Sequence, residues 1–562
     1  MNNKIVKTEK LKNYESMLKK RRALFLSNLI FTLGTLNTPL CIPSFLFNLA
    51  TYKFYKNIKD LHREELRRSL RKGEIKIGKC TLYEKDIDLS KIKYDEDFFF
   101  NYDEMTYHTS ILGTTGSGKT SLFLNIIKQH LENGGGLLFV DGKADKDIYN
   151  KLVNIAKMVH REDDLFILDF GIGAETNTLN LLENGDSEKI KEVLTNLVVP
   201  EGVSGDNQYF YNNALKLLSV SLQILLYKRD VKRKKITLKE LDNIAGNIAS
   251  LICIMQDSPD KIPAEYQQFK DYWLPDDYVD KGTGEKVKDN IKKYLNIMGH
   301  INYTSFEFNE ETVRQHQYAY GSLADALELL SMTYKNIFDG EGDINLSEII
   351  QNSKIVYISL PALEKSNETL RKLGKMIITL LRQVTATQLS NKKMRPPVPF
   401  LLMLDEFGAY ATGELTTIMQ QARSLNVAVI VAMQEYTSLK NRDEDKLLDS
   451  VISNCNTKVF LKLLEPNSIR KVEEIAGKEK VFERTEYAVN SVDILKDVTA
   501  YEKTYRVSEQ NRLNAIHLQE FSKGQCLILQ NGKIFLCQSD YLSVDGRAEF
   551  VFNRKYRDTA IV

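Results

Sequence analysis

The chain contains no CxxC pair, no HExxH motif and no ligand-like spacing among its seven histidines. Its six cysteines, Cys41, Cys80, Cys253, Cys455, Cys526 and Cys537, lie far apart. These absences argue against a zinc site and a disulfide framework, and reduced, mostly buried thiols are expected instead. An excess of one charge is also missing. The 77 Lys and Arg residues nearly balance the 75 Asp and Glu residues, for a net charge of +2. Any polyanionic partner must therefore be met by a local basic patch. No internal repeat, low-complexity segment or long acidic tail is present. A composition of 43% hydrophobic and 27% charged residues excludes wholesale disorder, and a length of 562 residues calls for two or three domains.

Charge is absent altogether from Ala23 to Tyr52. Lys19, Lys20, Arg21 and Arg22 precede this run, and Lys53, Lys56 and Lys59 follow it. A membrane span needs about 20 apolar residues, so the run is long enough for one tilted span or a tight hairpin turning near Asn37-Thr38-Pro39. Basic flanks on both sides favour a hairpin with both ends on the cytoplasmic side. Each arm would hold only about 14 residues, roughly 21 Å of helix, and would need a thinned bilayer or partner helices. A buried helix pair in a soluble domain is the alternative. Residues 1–55 are thus expected to form a membrane anchor. Residues 56–105 begin with a basic, helix-compatible stretch and are expected to form a juxtamembrane connector.

From Thr106 the pattern changes. "HTSILG", "GLLFVD", "LFILDF", "KIVYISL", "PFLLMLDE" and "VAVIVAMQ" are continuous apolar runs of strand length. Continuous rather than alternating runs indicate strands buried on both faces, as in a parallel sheet. Helical stretches between them place residues 106–204 and 346–562 in an α/β nucleotide-binding domain with a mainly parallel sheet. Between 205 and 345 the strand rhythm disappears. "NNALKLLSVSLQILLYKRD", "TLKELDNIAGNIASLICIMQ", "DNIKKYLNIMGHI" and "GSLADALELLSMTYKNIF" read as amphipathic helices, so an all-α insertion is expected there. Near the end, "QCLILQNGKIFLCQ" reads as a hairpin turning at Asn531-Gly532.

The residues Gly113-Thr114-Thr115-Gly116-Ser117-Gly118-Lys119-Thr120, followed by Ser121, carry the pattern GxxxxGK[ST] between a strand and a helix. Gly116 and Gly118 let the backbone curl so that its N–H groups face phosphate, and the helix N-terminus adds its positive end. Lys119 supplies a charge for the β- and γ-phosphates, and the Thr120 hydroxyl suits Mg²⁺. A triphosphatase also needs carboxylates at a neighbouring strand end. "PFLLMLDEFG" offers Asp405 to hold Mg²⁺ and Glu406 to polarise the attacking water. Gln434 ends the next strand and is placed to sense the γ-phosphate. By spacing alone, Arg423 is either a solvated charge or a finger donated to a neighbouring subunit's nucleotide.

Taken together, "LGTTGSGKT", "LDEFG", "QARSLNVAVIVAMQ" and "SNCNTKVFL" resemble the coupling-protein ATPases of conjugation and type IV secretion, the TraD/TraG type, within the FtsK/HerA-like P-loop motors. The resemblance covers roughly residues 106–538 and implies a RecA-like fold. It places Lys119 and Thr120 on ATP and Mg²⁺, and Asp405 and Glu406 in the catalytic carboxylate motif. It places Arg423 as a finger acting in trans and Gln434 as the sensor. The turn Asp141–Asp145, "DGKAD", resembles an Asp-Pro-Lys-Gly-Glu turn of that family but departs from it at three positions, and no role is assigned to it. The resemblance further implies a hexameric ring on the cytoplasmic face of a bacterial inner membrane. Such a ring would pump DNA, single-stranded and gripped without regard to sequence, towards a secretion channel. Relaxosome or effector adaptors and channel components would be its partners. A DNA translocase unrelated to secretion and an ATP-switched membrane scaffold are the competing readings.

Overall fold

A computed structural model describes residue 53 and residues 74–553, apart from 86, 172, 200–205, 300, 303–306, 339–341, 361–365, 390–395, 397, 440–444 and 491–498. The expected anchor over 1–55 lies outside the described residues, except for Lys53. Among the described residues, no helix is long and apolar enough to cross a membrane.

Fifteen strands are found among the described residues. They are β1 (Glu74–Leu82), β2 (Glu96–Asn101), β3 (Thr109–Leu112), β4 (Leu137–Asp141), β5 (Leu165–Asp169), β6 (Ile301–Asn302), β7 (Glu307–Phe308) and β8 (Ile355–Ser359). They continue as β9 (Phe400–Asp405), β10 (Val427–Met433), β11 (Thr457–Phe460), β12 (Lys478–Asn490), β13 (Thr499–Asn511), β14 (Gln525–Gln530) and β15 (Lys533–Ser539). Eleven of them form one sheet in the order β2-β1-β15-β14-β11-β3-β10-β9-β4-β8-β5. The run from β11 to β5 is parallel throughout. The run from β11 outward to β2 is antiparallel.

The continuous apolar runs have the cause inferred from sequence. Leu138, Val140, Leu402, Leu404, Val429 and Val431 join the apolar cluster on one face of the sheet. Their neighbours Leu137, Phe139, Leu401, Met403, Ala428 and Ile430 join a separate cluster on the other. Helices Lys119–Glu132 and Lys146–Met158 cover the second face. Helices Asn367–Leu389 and Glu414–Ala422 cover the first. Each strand side chain so enclosed contributes about 2 kcal/mol of burial, which leaves no position in these strands for an alternating polar residue.

The helical block also belongs to the first cluster. Buried residues of Asp206–Asp230, Leu238–Gly246, Val287–Met298 and Glu310–Glu328 continue the apolar core that begins at the sheet. Helix Ser187–Val198, just before the expected boundary at 205, packs against both Asp206–Asp230 and Asn367–Leu389 and so joins the block to the sheet. The block is not wholly helical, since β6 and β7 pair within it. The expected single helix over "TLKELDNIAGNIASLICIMQ" is two, broken at Asn247. The Asn247 side chain accepts from the Ala249 N–H at 2.9 Å and starts the second helix, a capping preference that overrides the apolar periodicity.

The largest departure from expectation lies in the segment read as a connector. From Glu74 onward it is part of the sheet, because Ile75, Ile77 and Cys80 face inward while Glu74 and Lys79 face out. β1 pairs with β15, and β2 closes that edge. The hairpin at Asn531-Gly532 joins β14 and β15, with both turn residues at positive φ (50° and 74°) as a two-residue turn of that kind requires.

Candidate nucleotide site

β3 runs directly into the glycine-rich loop. The Gly113 N–H donates to the Met433 carbonyl (3.2 Å) and the Thr114 N–H to the Lys462 carbonyl (2.9 Å), so the loop is fixed to the ends of β10 and β11. Gly116 and Gly118 sit at φ +79° and +111°, where a side chain would be strained. Lys119, Thr120 and Ser121 form the first turn of the following helix, and no side chain caps it. The N–H groups of that turn are therefore available to an anion. Thr115 and Gly116 are exposed at the rim, whereas Ser117 and Lys119 are buried. The Ser117 hydroxyl is buried without a hydrogen-bond partner. An orphaned hydroxyl, an uncapped helix start and two glycines at positive φ fit a polyphosphate with its metal.

β10 lies between β3 and β9, so the strand ending at Asp405 is one removed from the strand entering the loop. All three are parallel, and their C-terminal ends share one edge. That edge brings Lys119, Asp405, Glu406 and Gln434 together, as their positions in the sequence suggested. Glu406 Oε1 receives Lys119 Nζ at 3.2 Å and Gln434 Nε2 at 3.1 Å. Asp405 Oδ1 accepts the Glu406 N–H at 2.9 Å.

Burial dominates the electrostatics here. It pushes the Asp405 carboxyl up to about 7, with Lys119 opposing and the neighbouring Glu406 and Asp141 carboxylates adding to the rise. It also pulls the Lys119 ammonium below its ordinary value, against the attraction of Glu406 and Asp405. For Glu406, burial is outweighed by Lys119, by Lys143 and by the Gln434 amide, and the carboxyl stays below its ordinary range.

One cation was not singled out from the sequence. Lys143 Nζ lies 2.6 Å from the same Glu406 oxygen. It stands on the Asp141–Asp145 turn, to which no role was given. Asp141 ends β4 beside Asp405, is buried, and shapes the turn. Its Oδ1 accepts the Lys143 N–H (2.8 Å), and its Oδ2 accepts the Asp145 N–H (2.8 Å) and the Tyr357 hydroxyl (2.7 Å). A Cβ on Gly142 would come within 3.1 Å of Glu406 Cβ, so glycine permits the close approach. The signal available in the sequence was "GLLFVD", an apolar strand ending in an acid, the same pattern that marked Asp405.

Arg423 is not part of this edge. It begins the short turn Arg423–Leu425 that precedes β10, at the opposite end of the strand from Gln434. β10 has seven residues, so the two edges are about 23 Å apart at about 3.3 Å per residue. The Arg423 guanidinium lies 3.7 Å above the Tyr107 ring and donates to the Tyr107 hydroxyl.

Comparison with known proteins bears on this arrangement. Residues 399–520 match the family described as the TraM recognition site of TraD and TraG. The type 4 coupling protein DotL of Legionella pneumophila is 26% identical over 475 residues, covering 80% of this chain and 59% of DotL. The chain is thus similar in sequence to a type IV coupling protein. The aligned region spans only about three-fifths of DotL's own length. Among solved structures, the bacterial conjugative coupling protein TrwBdeltaN70 shares the fold at a TM-score of 0.54 and 13% identity, over 86% of this chain and 99% of that one. TrwB in complex with ADP and Mg²⁺ matches at 0.51 and 13% identity, over 85% and 99%. The fold, with its mainly parallel sheet, is thus shared with TrwBdeltaN70.

Proposed function

We propose that this chain hydrolyses ATP between adjacent subunits of a ring, a hexamer by its likeness to P-loop motors, and uses the energy to pass DNA into a type IV secretion channel. The observation that carries this reading is the convergence of Lys119, Asp405, Glu406 and Gln434 on one sheet edge while Arg423 occupies the other. Likeness to DotL and TrwB supports the assignment to secretion.

In this reading, the loop from Gly113 to Ser121 holds the phosphates through its N–H groups. Lys119 leaves Glu406 and pairs with the β- and γ-phosphates. Thr120 and Asp405 would hold Mg²⁺, which screens phosphate charge when bound. Glu406, released from Lys119, orients the attacking water and accepts its proton. Gln434 stays close enough to register whether the γ-phosphate is present. Arg423 cannot reach its own chain's phosphates across the sheet, so it stabilises the charge developing on a neighbour's. The apolar run from Ala23 to Tyr52 anchors the ring to the inner membrane of a bacterium, leaving the motor in the cytoplasm. The helical block docks relaxosome or effector adaptors.

The test is magnesium-dependent ATP turnover by the chain lacking residues 1–55, with and without single-stranded DNA. Turnover stimulated by DNA of any sequence is expected. Nucleotide binding without turnover at any DNA concentration would leave an ATP-operated switch in place of a motor.

A further inference from the structure

Lys143 has no part in the reading above, yet it makes the shortest contact that Glu406 has. We propose that Lys143 is a latch that holds Glu406 away from the attacking water and so restrains hydrolysis until the Asp141–Asp145 turn shifts. This rests on Glu406 being the general base.

Three features support a latch over a helper. First, Lys119, Lys143 and Gln434 all bond one oxygen, Oε1, so the carboxylate is drawn to one side of the site. At 3.2 Å from Lys119 Nζ, that oxygen stands where a phosphate oxygen would be bound. Nucleotide entry must therefore break the Lys119–Glu406 pair. Among the described residues, the ion pair Glu406 then retains is the one with Lys143.

Second, Glu406 sits at φ 50° and ψ 40°, the left-handed region. A glutamate there is strained by about 1 kcal/mol. Such a conformation persists only while its surroundings hold it, and Lys143 adds a side-chain tie to the backbone bonds that Glu406 makes with Asp405 and Ala409. Third, Lys143 belongs to a separate element. Its side chain is 40% exposed, and its turn leads into the surface helix Lys146–Met158. The turn bends through Ala144 at φ 55° and is held by Asp141. Because that helix packs against Lys119–Glu132, a shift of the turn alone, rather than of the helix, would withdraw the ammonium from Glu406. Partial exposure makes the exchange of Glu406 for water inexpensive on the lysine side.

The test compares the full chain with Lys143→Met, Lys143→Arg and Glu406→Gln, measuring basal and DNA-stimulated ATP turnover and the binding of ADP and a non-hydrolysable ATP analogue. Lys143→Met is expected to raise basal turnover by about three- to tenfold, the effect of losing one half-exposed charge-assisted bond. The rise should appear in kcat with KM unchanged, and the ratio of stimulated to basal turnover should shrink. Lys143→Arg, which keeps the charge, should stay close to the parent. A fall in basal turnover with Lys143→Met would make Lys143 a helper and overturn the latch. Weakened binding of the ATP analogue with unchanged ADP binding would make it a γ-phosphate ligand, and would also overturn it. Glu406→Gln separates the two levels of the argument. If that variant turns over at the parent rate, the general-base reading itself fails, whatever Lys143 does.

Discussion

At the C-terminal edge of the central sheet, two lysines and a glutamine crowd onto one half-buried carboxylate, all within 3.2 Å. At the N-terminal edge, Arg423 is exposed, rests on a tyrosine ring and makes no ion pair among the described residues. The first edge has its charges matched within one chain. The second carries a charge that meets a tyrosine but no carboxylate among the described residues, about 23 Å from the phosphate loop. In the function proposed above, the contrast divides the site between subunits, with binding groups on one chain and a transition-state group on the next.

Substitutions at the two edges should separate binding from turnover. Arg423→Ala is expected to have the largest effect, lowering turnover by about 10³-fold while nucleotide affinity stays near the parent value. Steady-state kinetics alongside equilibrium binding would show it. A matching loss of affinity would mean that Arg423 does not act on the transition state alone. Glu406→Gln should lower turnover by about 10²-fold and leave binding intact, because the amide keeps the shape but cannot accept the proton.

Acid should test whether the sheet and the helical block soften together. His130, in the last turn of the helix that follows the glycine-rich loop, and His316, in the helical block, are both pulled down to about 4 by burial. Below about 6.5 the unfolded chain takes up protons that the folded chain refuses, so stability falls as pH drops from about 6.5 to about 4. Each histidine contributes up to about 3 kcal/mol to that loss. Melting temperature measured from pH 7.5 to 5 should decline, and replacing either histidine with a neutral residue that folds should flatten the decline. The smallest effect is expected at the perch of the finger. Tyr107→Ala removes a cation–π contact of about 0.5–1 kcal/mol and should change turnover only a few-fold.

The parallel strands were legible because enclosure on both faces leaves an uninterrupted apolar run, as in "FLLMLD" and "VAVIVAM". The phosphate loop was legible because its glycines, lysine and threonine have fixed spacing. The outer strands were less so. β1 alternates lysine and isoleucine within a basic stretch, and nothing local shows that its partner, β15, lies some 450 residues away. Lys143 was missed for a related reason. Its importance comes from β4 lying beside β9, a pairing that brings Asp141 level with Asp405 but has no local trace in the sequence.

Division of the site between chains is tested most directly by mixing two inactive variants. Lys119→Ala subunits lack the binding group but keep Arg423, and Arg423→Ala subunits keep the binding group but lack the finger. Assembled together, some interfaces pair an intact phosphate loop with an intact arginine. ATP turnover should rise above that of either variant alone and peak at an intermediate ratio. Turnover that stays at the level of the separate variants at every ratio, with mixed assembly verified, would contradict a site shared between neighbours.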